Sequence, residues 1–258
     1  MEKVLWKQIF TADQFIDEKF WNYDIGDGSN YGIPGWGNQE REYYTTTNTR
    51  FDERGLLIVA EKTTDDSESL PTYYGDKAEW LSSKITTKDK VHFHYGAFTV
   101  RAKLPLGDGA WPAVWMLGTD IAEVTWPQCG EIDIIELRGD RPRNAFFTLH
   151  GPGYFGDNGS GAELDTGIDL TTDFHEYRIE WLPGQITWKL DGRIQQVRTA
   201  SDVAPNEWVF DKPFYLIMNL AMGGNFTGGI DPELDRAELV ISEITFEQIE
   251  GVGSVHLH

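Results

Sequence analysis

The only convincing hydrophobic periodicity in this chain has a period of two residues. Segment 95–104 shows it most clearly, because every second residue from Phe98 to Leu104 is apolar and the residues between them are polar. Successive side chains of a β-strand point to opposite faces, so this alternation predicts half-buried strands of an antiparallel sheet. The 27 glycines fit many turns between short strands. The chain is therefore predicted to be all-β.

Length and composition favour one globular domain. The chain has 258 residues, of which 40% are hydrophobic, and this is enough for a large β-domain with its own core. No repeat or linker divides the sequence. One catalytic domain is therefore predicted over residues 1–258, with its core at about residues 5–250.

The charge balance excludes several classes of partner. The formal net charge is −20, whereas surfaces that bind nucleic acid need clustered Lys and Arg, so no nucleic-acid partner is expected. No segment is long and apolar enough for a transmembrane helix, so no membrane partner is expected either. A neutral polymer is compatible with this charge, and we expect the protein to be a monomer.

The most informative stretch is residues 126–139, with the sequence WPQCGEIDIIELRG. Its isoleucines favour a strand. Glu131 and Asp133 then share one face, whereas Glu136 has the opposite parity. One extra residue near Ile134–Ile135, a β-bulge, would bring Glu136 to the same face as the other two acids.

Carboxyl groups on one face allow several kinds of chemistry. A retaining glycosidase uses two of them about 5–5.5 Å apart, one as nucleophile and the other as acid/base. From these residues alone, a solvated acidic strand face is an equally good interpretation. A calcium site is a poorer one, because calcium takes roughly six to eight oxygens and a strand face offers few beyond three carboxylates.

The segment Glu-Ile-Asp-Ile-Ile-Glu at 131–136 resembles the signature of glycoside hydrolase family 16, in the bulged form usual in laminarinases (endo-1,3-β-glucanases). The resemblance implies a β-jelly-roll sandwich of two antiparallel sheets with an open cleft on a concave face. It also implies endo-acting, retaining hydrolysis of β-1,3 bonds, with Glu131 as nucleophile and Glu136 as acid/base. Asp133 is expected to hydrogen-bond Glu131, and charged neighbours are expected to raise the pKa of Glu136.

Two segments resemble the parts of the family's cleft that form the negative subsites, where sugar units of the substrate bind. Residues 35–45, GWGNQEREYYT, resemble a laminarinase block, which makes Asn38 and Trp36 candidates for substrate binding. A polar surface loop with an aromatic anchor is the alternative interpretation. The segment Ser82-Ser83-Lys84 resembles the family's Ser-x-Arg strand, but Lys84 keeps only the charge of the Arg and not its planar fork.

Five further residues are candidates for the cleft. Trp111 and Trp115 share parity and resemble the Trp residues of the family's cleft floor and wall, with core packing as the alternative. His150 resembles the family's histidine on the leaving-group side. Asn219 lies in an apolar strand and needs hydrogen-bond partners or a polar cavity. Phe226 stands where the family usually has Trp.

No cofactor is expected, and no metal site is assigned. Cys129 is the only cysteine, so the chain has no intramolecular disulfide, and this residue is expected to serve packing. Many family members bind structural calcium through an Asp of the last strand. Ser242 stands at that position, so the ion is expected to be absent or weakly bound. Residues 151–167 are expected to form a mobile loop at the cleft rim.

Two alternative functions stay open at this point. One is a mixed-linkage 1,3-1,4-β-glucanase, and the other is a non-catalytic β-glucan-binding protein on the same sandwich, against which the intact acidic trio argues. A β-glucan polysaccharide cannot enter a cell, so a secreted protein is expected. No signal peptide is visible, because Glu2, Lys3 and Trp6 interrupt any apolar run.

Overall fold

A computed structural model describes residues 2–65 and 67–258, so Met1 and Asp66 of the predicted domain lie outside the description. The strands are, in chain order, β1 (Lys3–Ile9), β2 (Asn22–Tyr23), β3 (Glu42–Tyr44), β4 (Thr49–Asp52), β5 (Gly55–Lys62), β6 (Trp80–Ser82), β7 (Lys84–Thr86), β8 (Val91–His94), β9 (Gly96–Lys103) and β10 (Ala110–Gly118). They continue as β11 (Glu131–Leu137), β12 (Asn144–His150), β13 (Ser160–Asp165), β14 (His175–Leu182), β15 (Gln185–Leu190), β16 (Arg193–Thr199), β17 (Phe214–Met222), β18 (Arg236–Gln248) and β19 (Ser254–Leu257).

Helices in the described part of the chain are limited to single turns. The α-helical turns are α1 (Ile121–Val124), α2 (Ala200–Val203) and α3 (Gly224–Thr227), and the 3-10 turns are Ser29–Tyr31, Pro34–Gly37 and Gly156–Asn158. None of these helices is long and apolar enough to cross a membrane.

The strands form two sheets. The ten-stranded sheet has the order β16-β15-β14-β9-β18-β5-β6-β3, with β1 added to β18 and β4 added to β5. The nine-stranded sheet has the order β13-β12-β11-β10-β17-β7-β2, with β8 added to β17 and β19 added to β8. Described neighbours are antiparallel except for β3 and β6, which run parallel. The predicted all-β jelly-roll sandwich of two sheets is confirmed.

The core lies between the two sheets and follows the predicted alternation. In β9, Phe98, Val100 and Ala102 are buried. Trp181 of the ten-stranded sheet packs edge-on against Phe214 of the nine-stranded sheet, with ring centroids 5.4 Å apart. The inner face of each sheet is packed into this core. A site on the nine-stranded sheet must therefore lie on its outer face.

Two stretches contain more strand than the sequence predicts. Residues 160–165 of the predicted loop 151–167 form β13, which pairs with β12. A Cβ on Gly161 would lie 2.4 Å from the carbonyl oxygen of Phe147, so this glycine serves close strand approach rather than a loop. The second stretch lies beyond the predicted core limit at about residue 250, where β19 pairs with β8.

Cys129 is buried, as predicted, in a small apolar cluster with Leu117, Tyr215 and Ile217. Burial, followed by the charge of Glu131, raises the pKa of its thiol to about 12. The thiolate is therefore scarce near neutral pH, and packing is the role that this environment supports.

Candidate active site

A β-bulge in β11 brings three acids to one face. In the pairing with β10, Ile135 lies opposite Val114 and Asp133 lies opposite Trp115, so Ile134 is the extra residue. The predicted bulge is therefore confirmed. As a result, Glu131, Asp133 and Glu136 lie opposite three alternate residues of β10, which are listed here in the same order: Leu117, Trp115 and Ala113. Alternate residues share a face, so all three carboxyl groups project from the outer face of the sheet.

The bulge is anchored from the other side of the sandwich. A bulge leaves backbone groups outside the regular ladder, and an unpaired buried carbonyl is costly. The indole N–H of Trp188, a fully buried residue of the opposite sheet, donates to the backbone carbonyl of Asp133 at 2.7 Å. The alternation along β15 predicts that Trp188 is a core residue. Its hydrogen bond to Asp133 also stabilises the bulge that presents the acids.

Glu136 has the environment of a carboxylic acid that holds its proton. Burial is the main reason why the pKa of Glu136 rises to about 7, and Glu131 adds to the rise. The nearby His150 and a hydrogen bond from the indole N–H of Trp111 to Glu136 Oε1 (2.9 Å) act in the opposite direction. The predicted rise in pKa is present, but its main cause is desolvation rather than the charged neighbours named from the sequence.

Asp133 faces His150 rather than Glu131. Its side chain is buried, and Oδ2 lies 3.2 Å from His150 Nε2, which is also 3.7 Å from Glu131 Oε1. The hydrogen bond expected between Asp133 and Glu131 is not found among the described residues. Burial and then the charges of Glu136 and Glu131 hold the pKa of Asp133 well above its usual range.

His150 is the cationic member of the group. Burial alone would lower its pKa, but Glu131, Asp133 and Glu136 outweigh burial and raise the pKa to about 10. A proton on Asp133 weakens the attraction that holds a proton on His150, so Asp133, Glu136 and His150 titrate as a unit. The sequence placed His150 in the cleft, and the structure brings it into direct contact with the acids.

The same residues could also be read as a metal site. Glu131, Asp133 and His150 each offer a donor atom within 4.8 Å of the others. A metal would need a deprotonated imidazole nitrogen, whereas the pKa of His150 keeps that nitrogen protonated near neutral pH. The cluster therefore fits proton chemistry better than metal binding.

The calcium position implied by the family does not fit an ion in this chain. The hydroxyl of Ser242 accepts a hydrogen bond from Arg101 Nη1 at 2.9 Å and donates to the Arg101 carbonyl at 3.2 Å. The Ser242 hydroxyl is therefore engaged by Arg101, and a guanidinium charge next to it repels a cation.

Trp126 belongs to the site and was not identified as functional from the sequence. Its indole N–H donates to Glu131 Oε2 at 2.7 Å. Its ring lies 6.2 Å from that of His150 and meets Phe155 edge-on at 5.4 Å. Trp126 precedes β11, so strand alternation does not predict which way its side chain points. Its position in the acidic stretch 126–139 is the only sequence signal for it.

The two predicted cleft tryptophans flank the acids from β10, and each has a fixed ring. Trp111 stacks on Phe226, with ring centroids 4.7 Å apart and planes tilted by 35°. The indole N–H of Trp115 donates to Asn219 Oδ1 at 2.7 Å. Both Trp side chains are half-buried, so part of each remains accessible from the outer face. Asn219 is itself buried and serves Trp115 rather than solvent.

The remaining candidates form one group beside Trp115. Lys84 Nζ lies 4.0 Å from the ring centroid of Trp36 and 5.2 Å from that of Trp115. Trp36 is only 9% exposed and donates its N–H to the Gly26 carbonyl, so it supports Lys84 rather than offering a free ring to a sugar. Asn38 is half-buried at the edge of this group.

Comparisons with known proteins point in one direction. The family model of the glycosyl hydrolases family 16 matches residues 38–241. The chain is 39% identical to the glucan endo-1,3-beta-glucosidase A1 of Niallia circulans over 89% of its own length, but it spans only 35% of that protein. It is 35% identical to the beta-glucanase of Rhodothermus marinus over 94% of its own length and 84% of the relative.

A solved structure agrees with these sequence relatives. The laminarinase catalytic domain from Thermotoga maritima superposes with a TM-score of 0.89 at 42% identity, and the match covers 96% of this chain and 98% of that one. Fold and sequence therefore indicate the same relationship over nearly the whole chain.

Proposed function

The chain belongs to the glycosyl hydrolases family 16, and on that premise we propose that it is a retaining endo-1,3-β-glucanase acting on laminarin-type β-glucans. The observation that carries this proposal is the bulged strand, which presents Glu131 and Glu136 on one face in different environments. Retaining catalysis requires two carboxyl groups on one face, one of which holds a proton, and the raised pKa of Glu136 meets the second condition.

In the first step, Glu136 acts as general acid. Its proton passes to the glycosidic oxygen as the bond from that oxygen to the anomeric carbon breaks. A carboxylate oxygen of Glu131 forms a bond to the anomeric carbon and gives a covalent glycosyl-enzyme. The pKa of about 7 allows Glu136 to hold this proton in mildly acidic solution.

In the second step, Glu136 acts as general base. It takes a proton from water, the water oxygen bonds to the anomeric carbon, and Glu131 leaves as a carboxylate. Two displacements on opposite faces retain the configuration. Trp126 donates an N–H to Glu131 and His150 lies beside it with a positive charge, and these two contacts hold the nucleophile in place before attack.

The polymer lies across the outer face of the nine-stranded sheet. Trp111 and Trp115 offer half-buried rings beside the acids, and sugar rings stack on such surfaces. A site on the open face of a sheet admits the middle of a chain, which explains endo action. A polymer substrate also requires that the enzyme works outside the cell.

The test is the release of reducing sugar from laminarin, with lichenan and barley glucan alongside and the products separated by size. Fast cleavage of laminarin into mixed oligosaccharides is expected, and the matched Glu131→Gln variant should be folded and inactive. Faster cleavage of lichenan would instead assign a mixed-linkage glucanase. Binding of all three polymers without any release would assign a glucan-binding protein.

A further inference from the structure

A second pair of buried carboxyl groups lies behind the tryptophan-lined face. Glu40 is 5% exposed and Glu42 is fully buried. Together with Tyr44 they occupy alternate positions at and before β3, so the three side chains share one side of the chain. The two carboxyl groups are close enough for each to affect the pKa of the other. The mechanism above uses neither of them.

The two carboxyl groups accept unequal numbers of hydrogen bonds. Glu40 Oε1 accepts from the Asn38 amide at 2.9 Å, and Oε2 accepts from the Tyr44 hydroxyl at 3.2 Å. Glu42 Oε2 accepts from the backbone N–H of Met222 at 2.7 Å, whereas Oε1 has no N–H or hydroxyl donor among the described residues.

A single proton on the pair removes both the repulsion between the carboxylates and the unsatisfied oxygen of Glu42. Two adjacent buried carboxylates repel each other, so one of them keeps its proton. If Glu42 carries the proton and donates it to Glu40, neither carboxyl is left unsatisfied, and Glu40 keeps the negative charge. The ammonium group of Lys84 favours that charge on Glu40 as well.

A hydrogen-bond chain connects Glu40 to the face that carries the acids. The hydroxyl of Tyr44, which donates to Glu40, accepts from Asn219 Nδ2 at 3.0 Å. Asn219 Oδ1 in turn accepts from the Trp115 indole N–H at 2.7 Å. Glu40 therefore reaches Asn38 directly and Trp115 through two intermediate residues.

We propose that Glu40 is a positioning residue for glucan binding, whose single negative charge, secured by a proton on Glu42, orients Asn38 directly and Trp115 through Tyr44 and Asn219. This inference rests on the proposed function, because it concerns the same substrate site. Glu40 does not touch the reacting atoms and acts only through the residues that it holds.

The charges around the pair agree with a proton on Glu42 and a negative charge on Glu40. Burial, followed by the charge of Glu40, raises the pKa of Glu42 well above its usual range. Tyr44, Lys84 and Tyr74 are titratable groups of the described residues that also interact with the pair. The charge of Glu40 also contributes, behind burial, to the raised pKa of Glu136.

The test compares Glu40→Gln with Glu42→Gln. In Glu42→Gln the new amide can still accept from Met222 and donate to Glu40, so KM for laminarin should stay near the wild-type value. In Glu40→Gln the new amide has one carbonyl oxygen for two donors and no charge, so KM should rise about tenfold, the effect of one lost hydrogen bond to a charged group. The kcat of Glu40→Gln in mildly acidic solution should change little. An unchanged KM for Glu40→Gln, or equal increases for the two variants, would overturn the proposal.

Two further readouts separate positioning from a general structural role. Loss of the Glu40 charge should lower the pKa of Glu136, so the alkaline limb of the pH–rate profile should move to lower pH in Glu40→Gln only. The melting temperature of the wild type should fall as pH rises above the usual range of a carboxyl, because unfolding then releases the proton that Glu42 holds in the folded protein. Glu42→Gln should not show this part of the fall. Identical pH dependence of melting in wild type and Glu42→Gln would contradict the charge assignment.

Tyr44→Phe provides a second route if Glu40→Gln does not fold. It removes only the hydroxyl between Glu40 and Asn219, so KM should rise roughly threefold or more while kcat is kept. An unchanged KM in this variant would overturn the link to Trp115. The melting measurements need no substrate, so they test the pair even if the wild type releases no sugar from any β-glucan, the result that would refute the proposed function.

Discussion

The indole N–H of Trp126 donates a hydrogen bond to Oε2 of Glu131 across 2.7 Å. This N–H donor holds one carboxylate oxygen in place, so that the other can attack. The side chain of Trp126 is 41% exposed, which means that its contribution to folding is small compared with that of a core tryptophan.

Trp126→Phe should therefore lower kcat/KM on laminarin by about 10- to 100-fold without unfolding the protein, since a hydrogen bond to a charged group contributes roughly 1.5–3 kcal/mol. Steady-state kinetics and a melting curve check this. Trp208→Phe is the matched control, because its indole donates to Asp211 and not to the trio. Equal losses in the two variants would mean that Trp126 has no specific role.

The pH–rate profile should report Glu136. The general acid must be protonated at rest, so kcat/KM should fall as pH rises through the Glu136 pKa of about 7. Trp111→Phe keeps the ring beside Phe226 but removes the N–H that stabilises the carboxylate. Its alkaline limb should therefore move to higher pH. If Trp111→Phe only weakened stacking, KM would change and the alkaline limb of the pH–rate profile would stay at the same pH.

Glu136→Ala should reduce turnover of laminarin by roughly 10²–10⁴-fold, the usual contribution of general acid–base catalysis. Aryl glucosides with good leaving groups need no proton and should be partly spared. Azide should restore rate, because it attacks the glycosyl-enzyme without a general base. Glu123→Ala, on the exposed turn α1, serves as the control for a lost surface acid. An equal loss on every substrate, with no effect of azide, would exclude the acid/base role.

Calcium should not stabilise this protein. Ser242 is engaged by Arg101 in both directions, and the guanidinium charge opposes a cation there. The melting temperature should be the same in millimolar calcium and in EDTA, since a ligand stabilises only when its concentration exceeds its Kd for the folded state. A rise of several degrees with calcium would show that another set of oxygens binds the ion.

Much of the fold and the centre of the site can be derived from local sequence. Alternation along β9 predicts a half-buried strand. The parity of Glu131, Asp133 and Glu136 indicates that one extra residue would bring all three acids to one face, and the structure has this residue at Ile134. Both inferences concern neighbours along one strand. The loop prediction, which rested on glycine content, was wrong for residues 160–165, where Gly161 lies inside β13.

The sequence by itself determined the strand periodicity and showed that Glu136 needs a bulge to join Glu131 and Asp133 on one face, because side chains alternate along an extended backbone whatever surrounds it. Only the tertiary structure decided what surrounds those acids. Trp188 reaches the Asp133 carbonyl from the opposite sheet, His150 arrives from the neighbouring strand, and Glu40 and Glu42 are buried behind Trp115. These contacts join residues far apart in the chain. Burial and local charge, which set the pKa values of the site, exist only once the two sheets have packed.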